Sequence, residues 1–392
     1  MVRCCDVLSA PVFVPGRTKA YMSNTRLLAS RLREVEDSLQ GASDFFELYY
    51  EQGWTDGLPV LPPTQAAVTA MLRYTDRTPD EVVGIIPPRN GVATVEKIAI
   101  NAVMAGCRPE YLPVLIAAVE AMVQPEYNLY GRQTTTHPGA HLLIVHGPLR
   151  KELDVNCRQN VFGHGWRANA TMGRALRLVM INVGGNKPGV TDMATHGHPG
   201  KYSYCMGEDE EGSPWSPFHV DRGHARETSA VTVICGEAPH NINDQVSKTP
   251  QMYLESAAST MATLGGNGLY RSGLRSEQML VITSESAHWI AEHGWSKTDV
   301  QRFLFDTARQ PVRKLRDRGG WGKSPLPDFV DTANDDAMVP IVPRQEDILV
   351  LVAGGHQRHM NAVLTAGYSC SVTRAITLKD GTPLRSTQDF LK

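Results

Sequence analysis

From His141 onward, short runs rich in branched apolar side chains alternate with Gly, Ser and charged residues. They read LLIVHG ending at Gly147, VTVICGE ending at Glu237, MLVITSE ending at Glu285 and ILVLVAGG ending at Gly355. Runs of this length bounded by turn residues predict buried strands. The helical patterns that often follow them predict an α/β fold, a mixed or parallel sheet with flanking helices. Ahead of these runs the period is helical. Residues 25–39 and 44–52 are amphipathic helix candidates, and Gly53 sits at the stop position of the second. Residues 95–104 and 109–122 are dense in Ala, Val, Ile and Leu around Gly106-Cys107-Arg108, which predicts a buried helical hairpin. The expected organisation is an N-terminal extension and helix (1–43), a mostly helical region (44–130) and an α/β domain (131–392).

The long segment 182–224 breaks this pattern. It is too rich in Gly, Pro and polar residues for a helix or an ordinary strand, yet it carries Tyr202, Tyr204, Trp215 and Phe218. Disordered segments are usually poor in aromatics, and a connection far beyond the usual ~4 to 6 residues is commonly functional when it is ordered. We therefore expect a packed loop that builds a site.

Composition narrows the classes. The 392 residues exceed the roughly 250 to 300 at which single cores stop growing, which favours two domains. A net charge of −2 lacks the basic excess that nucleic acid or anionic lipid favours, and no apolar run approaches the ~18 residues of a membrane span. Neither nucleic acid nor membrane is an expected partner, and a homo-oligomer is left open. Seven cysteines without framework spacing point to a reducing compartment, so a cytoplasmic location is expected. The basic N-terminal segment leaves an organelle as the alternative.

Residues that carry chemistry gather around the loop. His196 and His198 flank Gly197, and imidazoles two apart can share an ion if the backbone turns; His219 would complete a site for a divalent metal such as zinc. The alternative is that these histidines bond backbone in a polar loop. Cys205 is a thiol candidate, but the acidic run 208–211 beside it would raise rather than lower its pKa. Within that run Glu208 is a candidate general base, with a solvated turn as the alternative. His164 and Arg167 stand before a helix expected at 170–181 with Asn169 as its N-cap, a place that favours anions. Thr135, Thr136 and His137 form a hydroxyl- and imidazole-bearing turn before the first strand, either a substrate loop or plain strand propensity. In open α/β sheets ligands sit beyond the carboxyl ends of strands, which marks His146, Glu237 and His356. His356 and His359 are expected on a helix, Ser284 or Ser286 as an N-cap, and 296–299 as a capping box. No dinucleotide, Walker or GxSxG motif is present.

The segments FELYYEQGWTDGLPVLPPT, ATVEKIAINAVMAGCRPEYLPVLIAAVEAM, TTTHPGAHLLIVHGP and HGHPGKYSYC resemble a mainly bacterial family associated with proteins that bear the UGSC motif, in which selenocysteine or cysteine precedes Gly-Ser-Cys. The resemblance covers most of the chain from residue 44 onward and implies at most a link to thiol or selenol redox chemistry. The chain has no such motif; Tyr368-Ser369-Cys370 is the nearest approach.

The expected function is an enzyme acting on a small polar, anionic substrate, of hydrolase or lyase type. Catalysis is assigned to His196, His198, Cys205, Glu208 and His137, substrate contact to His164, Arg167, Thr135, Thr136 and His356, and metal ligation to His196, His198 and His219. The alternatives are a thiol-dependent oxidoreductase, or a partner of one, with Cys205 or Cys107 reactive, and a non-catalytic small-molecule-binding protein.

Overall fold

The computed structural model describes residues 41–391, which belong to one compact unit. The extension expected over 1–43, with its helix at 25–39, lies outside the described residues up to position 40. In chain order the strands are β1 (Val82–Ile86), β2 (Gly91–Thr94), β3 (Ala140–His146), β4 (Cys205–Gly207), β5 (Ala230–Gly236), β6 (His240–Asn243), β7 (Gln278–Ile282), β8 (Arg309–Pro311), β9 (Met338–Pro340), β10 (Ile348–Val352), β11 (His359–Val363) and β12 (Val372–Ala375). Two mixed four-stranded sheets form the centre, ordered β12-β5-β3-β4 and β10-β7-β11-β6. The β3–β4 and β7–β10 pairs are parallel; every other pair within these sheets is antiparallel. Helices and mixed sheets make this an α/β protein.

The strands β3, β5, β7 and β10 are buried on both faces, which is why they read as continuous apolar runs. Alternate residues of one sheet (Leu142, Ile144, Met206, Ile234) meet Met279, Val281, Leu349 and Leu351 of the other in a single core. Leu280, Ile282, Val350 and Met360 point the opposite way, onto Tyr253, Leu254, Ile290, Val300 and Leu304 of the helices Pro250–Met261, Ser284–Glu292 and Lys297–Thr307. On the far side of the first sheet, Leu112–Met122 packs on β5 and β12, and Arg167–Asn182 on β3 and β4. The layers therefore run helix, sheet, sheet, helix. A one-residue slip in any strand would exchange its two faces, and two apolar contacts per strand fix the register from both sides. Of the two hairpin helices, Leu112–Met122 packs on the first sheet and Val95–Ala105 packs on Arg167–Asn182, within the same compact unit as the strands.

Several local expectations hold. Helices occupy Ala42–Glu51, Val95–Ala105 and Leu112–Met122; Gly106 closes the second with φ 89°, a left-handed value that suits glycine. The Ser296–Asp299 capping box is formed in both directions. Others change. Arg167–Asn182 starts three residues early, with Trp166 at the N-cap, because buried Asn169 instead clamps the backbone of Asn156 and Cys205. Thr283, not Ser284 or Ser286, caps Ser284–Glu292. No helix carries His356 and His359: Gly354 (φ 109°) and Gln357 (φ 91°) adopt backbone that a helix start excludes, and His359 opens β11. Among the described residues no helix is long and apolar enough to cross a membrane.

Candidate metal centre

Segment 182–224 is woven into the first sheet. Its middle is β4, paired parallel to β3 through Leu143, Ile144 and Val145, with Met206 buried between the sheets. Three residues cannot display a strand period, so polar composition hid it. The segment is pinned by Asp192 on Lys201 at 2.7 and 2.8 Å and by buried Arg177, which donates to the Lys201 carbonyl and to Asn186.

By threading through the first sheet, the loop distributes the expected site residues to opposite ends. His146 lies opposite Ala230 in the β3–β5 register, and Ala140 opposite Gly236. Six residue steps separate the ends, about 20 Å at ~3.3 Å per step. At the Gly236 end, His137 Nε2 meets Glu237 Oε1 at 2.7 Å while its Nδ1 accepts the Gly139 N–H. His198 accepts the Gly200 N–H and faces the Gly236 carbonyl, so both its ring nitrogens are engaged; burial, above all, depresses its pKa. His196 and His356 are exposed, as are His164 and Thr136. Exposed Arg167 donates Nε to the Gly106 carbonyl. Thr135 accepts the His137 N–H. The expected trio of His196, His198 and His219 is not brought together.

His219 belongs to the other end. There, His146, Glu208, Glu210 and His219 place ligand atoms within 4.8 Å of one another and could hold a metal ion. Each position follows from the fold. His146 ends β3 on the Leu142–Ile144 face, and Glu208 is the first residue past β4, beside it. Glu208 accepts the Phe218 N–H at 2.9 Å, which docks the short helix Phe218–Asp221 and with it His219. Gly147, at φ 77°, turns its N–H onto Glu210 Oε1 at 2.5 Å. The Asp209 N–H reaches the Val352 carbonyl, so the ends of β3, β4 and β10 gather on this edge.

His146, Glu208 and His219 have essentially no exposure, and only Glu210 is partly open. His146 Nδ1 meets Glu208 Oε2 at 2.8 Å, and its Nε2 meets Thr232 Oγ1 at 2.8 Å. Thr232 also bonds Thr373 at 2.9 Å. Hydroxyl, imidazole and carboxylate thus stand in the order of a nucleophile, base and orienting acid. Thr232 is wholly buried in mid-strand, however, so it holds the imidazole rather than meeting a substrate. Burial raises the Glu208 carboxyl, but His146, Lys297 and the Phe218 N–H outweigh it and the net shift is downward. Burial raises Glu210.

His219 shows the best fit to a metal. Its Nε2 faces the Arg226 carbonyl at 3.3 Å, an acceptor only, so the ring proton sits on Nε2 and Nδ1 carries the lone pair. That Nδ1 is buried without a hydrogen-bond partner. Burial and then His146 push the pKa of His219 down to about 4, so the ring is neutral at pH 7, the state a metal binds. Glu208 and Glu210 offer anionic oxygens alongside; His146 offers a nitrogen only by releasing Glu208 or Thr232.

Burial also bears on the thiol expectation. Cys205 and Cys107 are buried; burial lifts both thiols, Cys107 up to about 12, which argues against a reactive thiolate at either. Sequence reasoning marked His146 as a strand end and placed Glu208, Glu210 and His219 in the site-building loop but did not join them to His146, and it missed Thr232. The available signal was a histidine closing an apolar run. Compared with family models, curated proteins and solved structures, the chain matches none.

Proposed function

We propose that the chain is an enzyme of hydrolase or lyase type that acts on a small polar substrate at the His146–Glu208–Glu210–His219 centre, with a divalent metal bound there. The observation that carries this reading is the buried, unpartnered Nδ1 of His219 beside two carboxylates. An imidazole lone pair left without a donor in the interior costs free energy that a metal bond recovers. A divalent ion at such a site supplies Lewis-acid polarisation or a hydroxide-like nucleophile at neutral pH. Nitrogen and carboxylate donors in this proportion suit zinc, manganese or iron better than calcium.

The chain's own groups have separable tasks. The Arg226 carbonyl sets the His219 tautomer, and Thr232 with Glu208 holds the His146 ring. Glu210, partly open and with its proton held more tightly than an ordinary carboxylate, is the group placed to exchange a proton with substrate. A second reading, a closed structural metal site, is favoured by the near-complete burial of the other three side chains.

Elemental analysis of the purified protein, beside His219→Ala and Glu210→Gln, tests the assignment. Stoichiometric metal in the wild type, lost in His219→Ala, is expected. A wild-type chain that retains no metal after dialysis against zinc, manganese or iron sinks it. Turnover in a panel of small esters, amides and hydroxy acids, abolished in Glu210→Gln with metal retained, separates catalysis from the structural reading.

A further inference from the structure

At the Gly236 end of the first sheet, about 20 Å from the metal centre, lies a charge arrangement that the proposed function does not use. Arg132 is 4% exposed. One of its terminal nitrogens donates to the Gly367 carbonyl, while Nε and Nη1 are buried without an oxygen acceptor and have only the Cys235 thiol beside the guanidinium. Its guanidinium carbon stands 4.2 Å from the centroid of the Tyr368 ring, and that of Arg271 stands 4.7 Å from the same centroid. Both guanidiniums therefore gather on one ring, their carbons at most about 9 Å apart. Arg271 donates Nη1 to the Ala366 carbonyl at 2.9 Å.

Among the described residues neither arginine has a carboxylate partner. Glu237 is engaged by His137, and Glu277, which follows Ser276, is engaged by Arg222 and the Ser371 N–H. The Cys235 thiol beside Arg132 is a weak acceptor, and burial raises its pKa, so it supplies no counter-charge. Further polar atoms without partners lie on the same strand approach: Ser272 Oγ and Ser276 Oγ are both buried and unbonded, and Ser276 packs against Gly367. Tyr368 senses the surplus of positive charge. Burial raises its phenol, yet the Thr135 hydroxyl and the two guanidiniums outweigh that and draw the pKa down. Tyr368 also holds φ 50°, an uncommon value for a tyrosine, which keeps its ring against both arginines.

A guanidinium has five N–H donors and keeps its charge when buried, so structures pair it or leave it exposed. We infer that Arg132 and Arg271, held against Tyr368, form a binding site for a small oxyanion, a carboxylate or a phosphate, that supplies the missing acceptors. Thr135 borders this site, which gives the turn at 134–137 a ligand-facing role distinct from the metal centre.

Thermal unfolding and calorimetric titration in chloride buffer test the site, with inorganic phosphate and malonate as the two probes and sodium chloride at matched ionic strength as reference. One probe is expected to raise the wild-type Tm above the reference and to bind with a 1:1 stoichiometry; whichever binds more tightly names the source as phosphoryl or carboxylate. Arg271→Gln, which alters a half-buried side chain, is expected to weaken that binding by at least about tenfold, the loss of one charge-assisted contact. Arg132→Gln is expected to do the same where it folds. Arg174→Gln, which breaks a pair with Asp56 elsewhere, serves as the control and leaves the Kd unchanged. Two results would overturn the inference: neither probe exceeding the chloride reference, or Arg271→Gln binding the preferred probe as tightly as the wild type.

Discussion

Thr232→Val probes whether the chain itself holds His146 in place. The threonine has no exposure, and its hydroxyl lies 2.8 Å from His146 Nε2 and 2.9 Å from Thr373 Oγ1. Valine has the same shape and an equal liking for a strand, so the backbone of β5 is left undisturbed. What changes is polar satisfaction. His146 Nε2 is stranded in the interior, at a cost of about 1–3 kcal/mol, while half-buried Thr373 can turn toward water and loses little. The added methyl recovers up to about 0.8 kcal/mol. The net expectation is a loss between about 0.2 and 3 kcal/mol, read as a lower denaturant midpoint with an unchanged slope. Thr232→Ser, which keeps the hydroxyl, should recover most of it. In the same variant the affinity for a metal at the centre should drop by about 10- to 100-fold, the usual effect of removing a ligand's hydrogen-bond partner. An unfolding midpoint for Thr232→Val equal to or above the wild type would refute the argument that this hydroxyl fixes the imidazole.

Other consequences are equally direct. Gly147→Ala places a Cβ 2.6 Å from the Thr228 carbonyl at a φ of 77°, so it should destabilise the fold by more than about 1 kcal/mol; an equally stable variant would contradict this. Burial, reinforced by Arg177, Lys201 and Arg132, depresses the pKa of His141 far below 6.5, so the unfolded chain takes up its proton first as pH falls. Stability is therefore complete above pH 6.5 and declines below it, and His141→Gln should flatten that decline in a pH series of urea midpoints. The buried cysteines Cys107, Cys157, Cys205, Cys235 and Cys370 should react with iodoacetamide slowly in the native protein and rapidly once it is unfolded; fast native labelling of Cys205 would restore the thiol chemistry that its burial argues against.

Much of the architecture was legible along the chain. The apolar runs of β3, β5, β7 and β10 and the Ala-rich hairpin helices announce themselves because each is buried on all sides, and burial on both faces of a strand leaves a continuous apolar signature. His146 was readable too, as a histidine ending such a run. The partners were not. Strand ends collect on one side only when strands run parallel; β3 and β5 run antiparallel, so His146 and Glu237, each at the carboxyl end of its strand, finish at opposite ends of the sheet. Glu208 looks like part of a solvated acidic turn, and only the three-residue β4, too short to show a period, carries it into the interior beside His146. Arg132 reads as an ordinary polar helix residue until Tyr368, more than two hundred positions away, is seen against it. Local pattern determined the elements because burial writes itself into neighbouring residues. Sheet order and strand direction determined the sites, because those depend on contacts that no single segment contains.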